Sequence, residues 1–272
     1  MATINQKTIT RITDGLKKFQ PIVNNAKTKD VNESDTVVLI TDILTEVFGF
    51  DKYNEITTEA AVKNSYCDLA IKINNEIKIY IEAKAIGVEL KDAHIQQAVD
   101  YATRGGVDWA VLTNGNNWKI YRVVWGKPVT TTLVYEFNFL ELKVKSSDDI
   151  EKLSLLCKEA LPKNLLEEHY SQRQATSRFM LGNLIFEDAV INAIKRELKE
   201  VYPDLKCSSE EIAKIIITEV VRREIVEGEE AQEAQKKISK ANKKIEKAKA
   251  EKTKPNNSEP PIELTAAPTT EG

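Results

Sequence analysis

Two segments in which apolar and polar residues alternate lie on either side of the pair Asn74-Asn75. The apolar members are Cys67, Leu69, Ile71 and Ile73 before the pair, and Ile77, Ile79, Ile81 and Ala83 after it. A repeat of two residues is that of a β-strand with one buried face. The two segments therefore predict a β-hairpin, and with it a sheet whose apolar face must be covered.

The alternation also predicts how the two strands pair. A loop of two residues, Asn74 and Asn75, would set each apolar residue opposite a polar one, although cross-strand partners share a face of the sheet. A loop of three residues, 74–76, gives one apolar face instead. It pairs Ile73 with Ile77, Ile71 with Ile79, Leu69 with Ile81 and Cys67 with Ala83. We therefore predict the three-residue loop.

On the opposite face, this register sets Asp68 directly opposite Glu82, with Lys84 beside them. Opposed β-carbons are about 5 Å apart, so the two acids destabilise the pair unless one is protonated or a cation lies between them. Mg²⁺, which prefers carboxylate oxygens and keeps several waters, fits such a site, and the carbonyl of Ala83 is a further candidate ligand. Lys84 would orient or deprotonate a water, or stabilise charge on phosphorus. The alternative interpretation is a solvated strand face.

The segments around the hairpin predict an α/β fold with a mixed β-sheet flanked by helices. Apolar residues at helical spacing predict helices over 7–19, ending at Pro21, over 33–48, closed by Gly49, and over about 90–104. Further strands are predicted at 109–112, 118–124 and 131–137, with a turn at Asn114-Gly115 and Trp118 in the core. The order of helices and strands predicts one α/β domain over residues 1–145.

The rest of the chain is predicted to be helical and then charged. Helices at about 148–161, 164–170, 176–201 and 210–224 would form a small helical domain over residues 146–228. Residues 229–272 are predicted to be a charged, largely disordered tail, in which a frayed helix precedes a proline-rich stretch. Nine lysines and two glutamates lie between Lys236 and Lys254. They form either a phosphate-binding arm or a solvated helix face.

Composition narrows the classes of function. Three widely spaced cysteines and two histidines argue against a zinc ribbon, a disulfide framework or a multi-histidine metal site. The chain contains neither GxxxxGK[ST] nor GxGxxG, so no P-loop or Rossmann site is predicted. The absence of a signal-peptide pattern and of a long apolar run predicts a cytoplasmic protein with no membrane partner. With a net charge of −3, DNA contacts are expected to be a local patch or to be helped by metal ions.

Several short motifs together resemble a known family. In chain order they are NESDT at 32–36, FGFD at 48–51, Asp68, IEAKA at 81–85, QAVDYA at 97–102 and LTNG at 112–115, with Trp118 and Tyr121. The set resembles the N-terminal nuclease domain of type I restriction enzyme R subunits, in the PD-(D/E)xK nuclease superfamily, over about residues 33–124. The chain departs from the pattern at Cys67, which stands where the superfamily's name has proline. The 272 residues also lack an ATP-dependent translocase, so we expect a stand-alone restriction-endonuclease-like domain.

The resemblance implies that Asp68 and Glu82 bind the metal and that Lys84 is the catalytic lysine of the E-x-K motif. It also matches Glu33 to the acid of the family's first core helix. Glu33 lies at the open end of its helix's apolar stripe, from which it can point toward the sheet. The alternative is that Glu33 only complements the helix dipole.

Gln97 and Tyr101 match the family's Q-x-x-x-Y helix motif. They are neighbours on one helix face at i and i+4, so they can contact the site or a DNA backbone together. The alternative is that they pack against the sheet with satisfied polar tips.

From these residues we predict a Mg²⁺-dependent DNA endonuclease of a restriction or defence system, in which Mn²⁺ can substitute. The expected partners are DNA and either other restriction subunits or a second copy of the chain. The competing hypothesis is a catalytically inactive, nuclease-like module that binds nucleic acid or a partner protein.

Overall fold

The computed structural model describes residues 5–62 and 65–252 of the chain. The α-helices are α1 (Gln6–Lys29), α2 (Glu33–Glu46), α3 (Asp92–Gly105), α4 (Ser147–Ser154), α5 (Leu165–Ala175), α6 (Arg178–Leu184), α7 (Asp188–Val201), α8 (Ser209–Ile215), α9 (Arg223–Val226) and α10 (Glu229–Lys252). The strands are β1 (Ile56–Val62), β2 (Ser65–Ile73), β3 (Glu76–Ala83), β4 (Trp109–Thr113), β5 (Asn117–Val124) and β6 (Thr130–Asn138). The proline-rich end of the predicted tail, residues 253–272, lies outside the described ranges.

Within the described ranges, six strands form one sheet in the order β1-β2-β3-β4-β5-β6. Strands β3 and β4 are parallel and are connected through helix α3, whereas the other neighbours are antiparallel. A parallel pair needs such a long crossover, because a tight turn only reverses the chain. The predicted α/β class with a mixed sheet and flanking helices is therefore confirmed.

Helices cover both faces of this sheet. One face packs against α1 and α2 through a core that includes Ile12, Leu16, Ile40, Leu69, Ile71, Ile79 and Ile81. The other face packs against α3 through a second core that includes Ala70, Tyr80, Ile95, Ala98, Ala102 and Ala110. Because Asp68 and Glu82 alternate with the residues of the first core, they lie on the α3 side of the sheet.

The hairpin between β2 and β3 differs from the predicted loop but keeps most of the predicted register. The turn is the two-residue loop, since Ile73 pairs with Glu76, and both asparagines adopt positive φ, 52° and 64°. Such a turn matches the twist of the strands. A register shift between Ile71 and Lys72 then restores the predicted pairs Leu69-Ile81, Ala70-Tyr80 and Ile71-Ile79. The prediction of a three-residue loop was wrong. A β-bulge, which leaves Lys78 without a cross-strand partner on β2, supplies the extra residue within the strand instead.

The first helix is longer than predicted. Helix α1 continues through Pro21 to Lys29 instead of ending at the proline. Proline removes one backbone hydrogen bond, but Val23, two residues further, is fully buried in the first core. Packing of this continuation outweighs the lost bond.

The first compact unit extends to Gln174 and so includes residues that the sequence assigned to the helical segment. Leu153, Leu156, Cys157 and Leu166 are buried in the same core as α1, α2 and the sheet. The backbone amide of Lys158 donates to the carbonyl of Phe48 at 3.0 Å. Apolar burial therefore makes 146–174 part of the sheet domain.

The second compact unit begins at Ala175, and the secondary-structure elements of its described residues are all helices joined by short turns and loops. Its small core is formed by Ile191, Ile212 and Ile216. The predicted capping box is present, because the Ser208 hydroxyl accepts from Glu211 N and the Glu211 carboxylate accepts from Ser208 N. In the described part of the chain, no helix is both long and apolar enough to cross a membrane.

An ion pair fixes α1 to the segment that follows α4. Arg11 donates to both carboxylate oxygens of Glu159, at 2.6 and 2.7 Å, and also to the carbonyls of Val47 and Phe48. The hydrogen bonds from Arg11 hold the pKa of Glu159 below its ordinary value of 4.5. A carboxyl group with a lowered folded-state pKa contributes stability above pH 4.5 that is lost as the pH falls through the folded pKa.

We therefore expect Glu159→Gln to lower the free energy of unfolding at pH 7 by about 1 kcal/mol, a value reduced for the partial exposure of the pair. The difference from wild type should shrink as the pH falls below 4.5. Urea unfolding at pH 7 and at pH 4 measures it, with Glu168→Gln, outside this ion pair, as the control. A gap that stays constant with pH would contradict the assigned role of the ionised pair.

Candidate active site

Asp68 and Glu82 project from the two central strands of the hairpin. The two strands pair up to Leu69-Ile81, next to both acids, and the charge of Asp68 acts on the Glu82 carboxyl group, so the two side chains lie close together. One oxygen of Asp68 accepts the backbone amide of Ala83 at 2.8 Å. Asp68 is partly buried, whereas only 4% of the Glu82 side chain is exposed. The pair is therefore not a solvated strand face.

Lys84 forms the third part of this cluster. Its Nζ lies 2.5 Å from Glu82 Oε1 and 3.7 Å from Glu33 Oε2. Glu33 comes from the first turn of α2 and its side chain is half exposed, whereas 15% of the Lys84 side chain is exposed. The structure thus brings together Glu33, Glu82 and Lys84 in ion-pair contact, with Asp68 of β2 close by.

Burial and neighbouring charges change the acidity of two of these groups. Burial raises the pKa of Glu82, and the charge of Asp68 raises it further, against the effect of the hydrogen bond from Lys84. Burial alone would lower the pKa of Lys84, but the hydrogen bond to Glu82 and the surrounding carboxylates raise it overall. Lys84 is therefore a cation at neutral pH, which favours charge stabilisation over proton abstraction as its role.

Ala83, the third predicted ligand, is fully buried between Glu82 and Lys84. The amide of Lys84 donates to the carbonyl of Thr113 on β4, and the amide of Ala83 is held by Asp68. These bonds hold the E-x-K segment to β4 on one side and to β2 on the other. The motif is consequently carried by a rigid strand end.

The loop after Lys84 is held by two side chains that the sequence analysis did not assign to the site. The hydroxyl of Thr36, one turn after Glu33 on α2, accepts the backbone amide of Ile86 at 3.1 Å. The amide group of Asn114 donates to the carbonyls of Ile86 and Val88, at 3.2 and 2.9 Å. Both residues lie within motifs of the resemblance, which was the signal available. Trp118 is buried in the core, as predicted.

Thr36→Val should destabilise the fold by about 1–3 kcal/mol, because the buried amide of Ile86 loses its acceptor. Thr28→Val is the matched control. Thr28 also donates to a carbonyl of its own helix, at 2.8 Å, but is exposed and has no such tertiary contact in the described structure. Equal urea midpoints for the two variants would show that the contact to Ile86 contributes nothing.

Gln97 and Tyr101 lie on α3. Tyr101 is partly buried against the second core, whereas Gln97 is exposed. Among the described contacts, no hydrogen bond joins Gln97 to Asp68, Glu82 or Lys84. The structure therefore does not bring Gln97 into the cluster, although it lies on the helix that covers the same face of the sheet.

The cluster offers a metal ion two carboxylates and one backbone carbonyl as candidate ligands. Within residues 5–62 and 65–252, no group of three or more His, Cys, Asp or Glu side chains is arranged to hold a metal. Mg²⁺ fits a site with two carboxylates, because it keeps several of its waters. A structural zinc site, which needs four protein ligands, does not fit.

The segment that contains these residues is similar to a known protein family. Residues 39–135 match the family described as the type I restriction enzyme R protein N terminus (HSDR_N). The match confirms the resemblance that the motifs predicted. No curated protein and no solved structure matches the chain. The R-protein match includes Asp68, Glu82, Lys84 and Gln97, whereas Glu33, α1 and the second compact unit lie outside it.

Proposed function

We propose that the chain is a Mg²⁺-dependent DNA endonuclease that hydrolyses phosphodiester bonds in a restriction or defence system. The observation that carries the proposal is the buried Glu82, which contacts Lys84 at the end of β3 and lies close enough to Asp68 for the charge of Asp68 to act on it. Paired like charges and buried ionisable groups are concentrated at the functional sites of proteins. The R-protein family match supports DNA as the substrate and other restriction subunits as partners.

Asp68 and Glu82, with the carbonyl of Ala83, would hold Mg²⁺. The ion would supply Lewis-acid polarisation of a phosphoryl oxygen and lower the pKa of a coordinated water. The raised pKa of Glu82 supports this assignment, because a divalent cation would remove the cost of ionising a buried carboxyl.

Lys84 and Glu33 would act on the reacting groups directly. The Lys84 cation would stabilise the negative charge that develops on the phosphorane as water attacks in line. Glu33 is the exposed member of the cluster and would accept a hydrogen bond from the attacking water and orient it. The ion pair between them keeps the orienting carboxylate within reach of the charge-stabilising ammonium group.

Calorimetry and plasmid cleavage test the proposal together. We expect wild type to bind Mg²⁺ and to nick supercoiled plasmid with Mg²⁺ or Mn²⁺, and Glu82→Ala to do neither. Glu76→Ala is the control, because Glu76 is an exposed acid on the same strand. Cutting of linear DNA only from its ends would replace the endonuclease by an exonuclease.

If wild type binds no Mg²⁺ at millimolar concentration and cuts neither DNA, the proposal is wrong. The chain would then be an inactive, nuclease-like module, and its partner would be sought by binding alone. In either outcome, Glu76→Ala must behave as wild type for the comparison to stand.

A further inference from the structure

Helix α10 of the second compact unit has one buried side. Ala231, Ala234 and Ile238 are at most 8% exposed and face α6 and α9 of the same unit. The amide group of Asn242, further along this side, donates to the carboxylate of Glu187 at 2.6 Å. The buried side fixes which residues of α10 face solvent.

The opposite side carries a row of lysines, which we call the lysine stripe. It consists of Lys236, Lys240, Lys243, Lys244 and Lys247. The spacings of three and four residues place them on one helix face over about 16 Å. In the part of the chain that the structure describes, none of the five forms an ion pair with a carboxylate. Glu246, the acid within this stretch, lies about 90° around the helix from the centre of the stripe.

We propose that the lysine stripe binds the phosphate backbone of duplex DNA without reading its sequence. Five ammonium groups on one straight face match the dense negative charge of a duplex, and 16 Å corresponds to about half a turn. Gln232, Gln235 and Ser239 border the stripe and supply neutral hydrogen-bond donors for phosphate oxygens.

The composition of this face favours a duplex over other polyanions. It carries no aromatic residue on which unpaired bases could stack, which is what binding of single strands needs. A helix that lies on a lipid surface inserts an apolar face. In α10, Ala231, Ala234 and Ile238 on that face are already buried within the protein.

The inference shares its substrate class with the proposed nuclease but not its site. The chain outside the tail is net acidic, so Asp68, Glu82 and Glu33 present no electrostatic attraction for DNA without a metal ion. The lysine stripe would supply that attraction independently of cleavage. Binding and cleavage can therefore fail separately.

The test measures duplex affinity of the full chain in EDTA, by fluorescence anisotropy of a labelled 30-base-pair DNA between 50 and 200 mM salt. Lys236, Lys240, Lys243 and Lys247 are changed together to Gln. The control changes Lys152, Lys199, Lys206 and Lys214 to Gln, which removes the same charge from exposed positions outside α10. Because EDTA removes divalent metal ions, the measurement reports binding without the proposed cleavage.

We expect the stripe variant to bind at least about tenfold more weakly at 100 mM salt. The slope of log affinity against log salt should flatten by about 3.6, near 0.9 for each of the four lost phosphate contacts. The control should keep the wild-type slope. Equal slopes for the stripe and control variants would overturn the inference. The inference would also be overturned if the stripe variant lost binding to vesicles of phosphatidylserine but kept wild-type binding to the duplex, because that result would assign the stripe to a lipid surface.

Discussion

Lys84→Ala is expected to slow plasmid cleavage by about 10²–10⁴-fold while Mg²⁺ binding persists. Lys84 is the cation of the cluster, 2.5 Å from Glu82 and 3.7 Å from Glu33, and its loss removes charge stabilisation from the transition state. The two carboxylates assigned to the metal remain in place. Initial rates of nicking and Mg²⁺ calorimetry, measured on the same preparation, separate the two effects.

Lys78→Ala is the control for this variant, because Lys78 is an exposed lysine on the same strand that pairs only with Glu76 among its described contacts. Asp68→Asn completes the series. Its side-chain oxygen can still accept the amide of Ala83, so the strand end stays intact while one ligand charge is lost. Both Mg²⁺ binding and cleavage should then disappear. A wild-type cleavage rate in Lys84→Ala would remove the lysine from the mechanism.

The juxtaposition of Asp68 and Glu82 was predictable because alternation fixes which residues of two strands share a face. The turn was not predictable, because the same alternation is compatible with a two-residue loop when a bulge within the strand supplies the extra residue. Side-chain pattern does not reveal a bulge at Lys78, which depends on how the strand twists against its neighbours. The error was confined to the turn, so the positions of the two acids were unaffected.

The burial of Glu82 could not be predicted from the sequence, for a different reason. The alternation assigns Glu82 to the polar face of the hairpin, which a single sheet would leave in water. Only the crossover through α3 covers that face, and it is a long-range consequence of the parallel β3-β4 pairing. For Thr36, helical periodicity likewise predicts only a position in a helix. Its hydroxyl accepts the amide of Ile86, and this contact depends on the position of the loop at Ile86.

The extent of the first unit was the largest difference from the sequence analysis. Helical periodicity shows that residues beyond 146 form helices, but not which core receives their apolar faces. In the structure, Leu153 of α4 is fully buried in the core that contains Trp118 and Leu16. Leu153→Ala should therefore lower the free energy of unfolding of the sheet domain by about 2–5 kcal/mol.

The tryptophans make this prediction specific to one unit. All three, Trp109, Trp118 and Trp125, lie in the first unit, so tryptophan fluorescence during urea unfolding reports on the sheet domain. Leu181→Ala is the matched control, because Leu181 also lies in the stretch assigned to the helical domain but is 52% exposed. If Leu153→Ala left the fluorescence midpoint at the wild-type value, α4 would not be part of this core. A lowered midpoint for Leu153→Ala alone would show that the nuclease-like domain needs residues 146–174 to fold stably.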